Sequence, residues 1–83
     1  MTIYISLLRG INVSGQKKVK MAELKALYES LGLQSVVTYI QSGNVIFKSN
    51  KNAKSLKVLL EQTIAQHFSF EVPVEVISQK DFM

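Results

Sequence analysis

The chain has 83 residues, ten basic and six acidic side chains for a formal charge of +4, and no cysteine. That length holds one small domain and excludes a dinucleotide-binding sheet pair, a barrel or a two-domain enzyme. At 47% hydrophobic and 19% charged residues it is too apolar for disorder. The missing cysteines exclude disulfides, zinc–thiolate sites and thiol catalysis. No stretch approaches the roughly 18 apolar residues of a membrane span. The opening MTIYISLLRG lacks the basic start and small-residue cleavage site of a secretory signal, so a cytoplasmic protein is expected.

Residues 3–8, IYISLL, form a short apolar run rich in β-formers and predict a central strand. Residues 10–19 carry the breakers Gly10, Asn12, Ser14 and Gly15 and predict a loop. From Lys20 to Leu31 the period becomes helical, with Met21, Leu24, Leu27, Tyr28 and Leu31 on one stripe. Gly32 then stands where a left-handed C-terminal residue belongs, with Leu33 placed to pack back on the last turn. Residues 35–41 alternate as a second strand, and Ser42-Gly43 makes a tight turn into a third strand at 44–48. Asn52 is the expected N-cap of a long helix over 53–68, and residues 72–78 supply a fourth strand.

The order β-α-β-β-α-β is the ferredoxin-like plan: an α+β sandwich whose antiparallel sheet runs 4-1-3-2, with both helices on one face. Residues 1–78 are this domain. Ser78-Gln79-Lys80-Asp81 has the shape of a helix start, so 79–83 is expected to open a further helix of a longer protein.

Alternation assigns Ile3, Ile5 and Leu7 to the helix-covered face, with Val45, Phe47, Val72, Val74 and Val76. Tyr4, Ser6, Leu8, Val37, Tyr39, Asn44, Ile46, Lys48 and Ile77 then fall on the open face. Six of those nine (Tyr4, Leu8, Val37, Tyr39, Ile46 and Ile77) are apolar or aromatic, too oily for water. These six are the candidate interface, covered by the missing C-terminal half of the same protein, by a second copy, or by nucleic-acid bases. The last resembles the RNA-recognition motif, with Tyr4 as the first-strand stacking ring. Its third-strand signature fails because Asn44 stands where an aromatic belongs.

Topology gathers Arg9, Asn12, Lys17, Lys18, Lys20, Gln41, Ser42 and Asn44 at one end of the sheet, near the start of the first helix. Cations at a helix N-terminus are mildly unfavourable, and an anion held by lysines and helix amides together would offset this. The reading is a binding end for a small phosphorylated or carboxylate ligand. Arg9 and the three lysines neutralise it, and Gln41, Ser42 and Asn44 select it. Gly10-Ile-Asn-Val-Ser-Gly15 has the four-residue gap of a phosphate-binding P-loop. Gln16 stands at its lysine position, however, so that chemistry is set aside. His67 has no second histidine and no carboxylate visible near it in sequence. Neither a catalytic constellation, a metal site nor a cofactor motif is predicted.

Three stretches carry a resemblance: Leu7-Leu8-Arg9-Gly10-Ile11-Asn12-Val13, Lys20-Met21, and Tyr39-Ile40-Gln41-Ser42-Gly43-Asn44-Val45. The chain is similar to a bacterial family catalogued only as a domain of unknown function. That resemblance implies a ferredoxin-like fold and a longer protein, but no reaction. Ser14 stands where many relatives have glycine. The leading expectation is thus a small-anion-binding domain. The alternatives are an interaction or dimerisation module using the open face, then a nucleic-acid binder.

Overall fold

The computed structural model describes residues 1–11, 18–39 and 43–82, the last two as backbone. Its elements are β1 (Thr2–Leu8), α1 (Met21–Ser30), β2 (Gln34–Tyr39), β3 (Asn44–Ser49), α2 (Ala53–Phe68), β4 (Val74–Ser78) and α3 (Gln79–Phe82). The four strands form one antiparallel sheet in the order β2-β3-β1-β4, the expected ferredoxin-like arrangement. A short helix begins at Gln79 directly after β4 and packs beside β1 and β4.

Local chemistry accounts for the helix ends. Asn52 caps α2, its Oδ1 accepting the Ser55 N–H at 2.8 Å. At the end of α1, Gly32 takes φ +83, and the N–H groups of Gly32 and Leu33 reach back to the carbonyls of Glu29 and Tyr28. That is the Schellman pattern, and Leu33 buries itself against the core as it closes. The far end of α2 is less comfortable, because Ser69 adopts a left-handed φ of +65.

The core lies between the sheet and both helices, built on Leu24, Tyr28, Leu56, Leu60 and Ile64 above Val45, Phe47 and Val74. The strand-face expectation for β1 is corrected here. Tyr4, Ser6 and Leu8 are the buried residues of that strand, whereas Ile3, Ile5 and Leu7 turn to the open side. Register explains it, because cross-strand partners share a face: Tyr4 opposes Phe47 and Ser6 opposes Val45. Two polar groups therefore enter the core, and both are satisfied. The Ser6 hydroxyl lies 2.8 Å from the Tyr28 hydroxyl and donates to the Val45 carbonyl, while Tyr4 donates to the Lys51 carbonyl at 2.7 Å. Counting apolar residues along β1 favours the wrong face, since Ile, Ile and Leu outweigh Tyr, Ser and Leu. Hydrogen-bond partners on other elements decide the matter.

A bulge lies between Gln34 and Val37 on the outer strand β2, where Ser35 has φ +53. The extra residue lets Val36 reach the core while Val37 and Tyr39 stay about half exposed on the open face.

Candidate functional site

β1 leaves the sheet wedged between two other segments. The Leu8 N–H donates to the Gly43 carbonyl and the Arg9 N–H to the Pro73 carbonyl, each at 3.1 Å. Gly43 has φ +65, and a Cβ there would stand 3.0 Å from the Leu8 carbonyl oxygen and 3.2 Å from the Ile11 side chain. Only glycine permits that approach. Two of the three stretches that carry the family resemblance thus touch backbone to backbone at one end of the sheet.

Of the proposed anion-binding residues, Arg9, Lys18, Lys20 and Asn44 are described, while Asn12, Lys17, Gln41 and Ser42 lie outside the described residues. Lys18 and Lys20 are exposed on either side of buried Val19, which fixes both outward just before α1. Lys20 is the N-cap of α1 and offers no side-chain cap, and Glu23 supplies the acid of the first turn. Asn44 is half-buried and pairs with Leu7 and Tyr39. Arg9 instead points across β4, its guanidinium 2.7 Å from the Glu75 carboxylate, with both side chains mostly exposed. Such an exposed pair contributes little stability.

His67 does have a carboxylate neighbour that sequence spacing did not reveal. Its Nε2 lies 3.9 Å from Oε2 of Glu23, across the gap between α1 and α2. Among the described residues no three His, Cys, Asp or Glu side chains cluster as a metal site would require.

The open face is the larger feature. Register places Ile3, Ile5 and Leu7 of β1 beside Ile46 of β3, Val37 and Tyr39 of β2, and Ile77 of β4. Among the described residues Gln34, Asn44, Lys48 and Glu75 are its polar members. Val37, Tyr39, Ile46 and Ile77 thus lie where sequence put them, whereas Tyr4 and Leu8, about 5% exposed, belong to the core. Correcting β1 makes the face oilier, since Ile3, Ile5 and Leu7 replace Tyr4, Ser6 and Leu8. It also removes the stacking ring of the RNA-recognition reading, because Tyr4 lies beneath the helices against Phe47.

Comparison with known proteins adds family and fold. The family model described as "Protein of unknown function (DUF1697)" matches residues 1–83. The solved structure of the conserved bacterial protein SP0830 from Streptococcus pneumoniae superposes with a TM-score of 0.87 at 43% identity. The match covers 98% of this chain and 45% of that one, so this chain spans less than half the relative's length. No curated protein matches. Among the described residues no helix is long and apolar enough to cross a membrane.

Proposed function

Because the chain belongs to the DUF1697 family, whose description names no reaction, we propose its role from geometry: it is a protein-docking domain that binds through its uncovered sheet face. One observation carries this reading, the seven apolar or aromatic residues of four strands sharing a face that neither α1 nor α2 covers. An open antiparallel sheet facing water alternates instead to polar side chains. Its occupant is the additional polypeptide that longer family members carry. The support is the relative of more than twice this length. A cytoplasmic location belongs to the same reading, supported by the absence of cysteine.

The test is the solution mass. The 83-residue chain is expected to self-associate through the bare face, and Tyr39→Glu with Ile46→Glu to return it to the monomer mass. A family protein of the relative's length, with its own chain seated there, is expected to stay monomeric. Equal masses for the 83-residue chain and its double variant overturn the reading.

The sheet end supports a second, smaller role: binding a phosphate or carboxylate through Arg9, Lys18 and Lys20. The Leu8–Gly43 hydrogen bond supports it by bringing Arg9 and Asn44, the chain neighbours of those two residues, to one end of the sheet. Titration with inorganic phosphate is the check, and an affinity unchanged by Arg9→Ala with Lys18→Ala excludes this role.

A further inference from the structure

β4 lies at the margin of the sheet, and such a strand presents unpaired N–H and carbonyl groups to any passing strand. At Val74 those groups are already occupied, though by side chains. The Val74 N–H donates to Oε2 of Glu61 at 2.9 Å, and Lys57 Nζ donates to the Val74 carbonyl at 3.0 Å. The same Oε2 accepts from Lys57 Nζ at 3.1 Å, so the pair is locked across one turn of α2. One acceptor and one donor, placed side by side, are what a residue of a fifth strand would offer.

We propose that Lys57 and Glu61 form a latch on the β4 edge that keeps a second copy from adding its own β4 there. Three observations carry this. The latch sits on Val74, whose side chain is buried but whose backbone N–H and carbonyl turn away from β1, directly after Pro73, which lacks an N–H of its own. Lys57 and Val74 themselves line a groove of about 460 Å³ that continues along the edge to Arg9, Lys54 and Val76. Along that edge Glu75 is paired with Arg9 of its own chain, and a twofold copy would let each carboxylate exchange onto the other chain's guanidinium. The opposite margin needs no such device, because the Ser35 bulge already interrupts β2.

The latch is tested by Lys57→Ala with Glu61→Ala in the background of Tyr39→Glu with Ile46→Glu, the pair expected to remove association through the open face. The expected result is a doubled solution mass with amide exchange at Val76 slowed on the order of tenfold. Glu61→Gln, which keeps an acceptor for the Val74 N–H, should hold the chain monomeric, as should Lys54→Ala. If the double variant fails to fold, Glu61→Ala alone, which leaves the Val74 N–H without its acceptor, gives the same readout. An unchanged mass, or a doubled mass without protection at Val76, overturns the proposal.

Discussion

Leu8 and Gly43 hold each other through the backbone: the Leu8 N–H bonds the Gly43 carbonyl, and the Leu8 carbonyl oxygen occupies the space where a side chain at 43 would begin. Gly43→Ala therefore meets two penalties, a left-handed backbone costing about 1–2 kcal/mol and a contact that backbone must move to relieve. A loss of about 2–3 kcal/mol is expected, read as a lower urea midpoint with an unchanged slope. Gly32→Ala has the first penalty only, since nothing lies within 4 Å of its Cβ position. It should cost roughly half as much.

The Ser6–Tyr28 pair is asymmetric. Tyr28→Phe leaves the Ser6 hydroxyl its bond to the Val45 carbonyl and should cost about 1 kcal/mol. Ser6→Ala strands a fully buried phenol and should cost more, about 1–3 kcal/mol. The double variant should be less destabilised than the sum of the two, the mark of coupling in a double-mutant cycle.

Burial pushes the Tyr28 phenol well above its ordinary value of 10.0, against the lowering effect of the Ser6 bond. In the unfolded chain the phenol ionises near that ordinary value, whereas in the fold it stays protonated. Stability is therefore intact below pH 10 and falls above it, by about 1.4 kcal/mol per pH unit for this group. Alkaline unfolding followed by circular dichroism should shift to higher pH in Tyr28→Phe, once corrected for stability at neutral pH.

Glu61 titrates in the opposite sense. The Val74 N–H lowers its pKa most, opposed by partial burial and assisted by Lys57. Its stabilising effect is complete above the ordinary carboxylate range and fades as pH falls through the lowered folded value. Amide exchange at Val74, corrected for intrinsic rate, should therefore accelerate in acid. Glu61→Gln should flatten that dependence.

Ser69→Gly is expected to stabilise the chain by about 0.5–1 kcal/mol. It exchanges a left-handed serine for a residue that adopts φ +65 freely, less the entropy glycine loses on folding. Thermal unfolding should show a rise of several degrees.

Asn52, Gly32 and the stripe of α2 were legible in sequence because each depends on neighbours within a turn or two. The sheet order followed from element order and the handedness of crossovers. The face of β1 was not legible. It depends on Tyr28 and Lys51 offering hydrogen-bond partners to Ser6 and Tyr4, and those residues lie 22 and 47 positions away. The pairing of Arg9 with Glu75 was not legible either, because the two lie 66 residues apart. Lys57 and Glu61 show an i, i+4 pairing in sequence, but nothing local says that the pair also closes over Val74.

Strand order also has a consequence in time. β1 is synthesised first, yet both of its neighbours come later, β3 ending at Ser49 and β4 at Ser78. The β2–β3 hairpin and its flanking helices can form while translation proceeds, but the first strand waits with one margin bare until Val74–Ser78 has emerged. That interval is on the order of seconds at ribosomal speed. During it the most apolar segment of the nascent chain, residues 3–8, is open to chaperones and to misassociation.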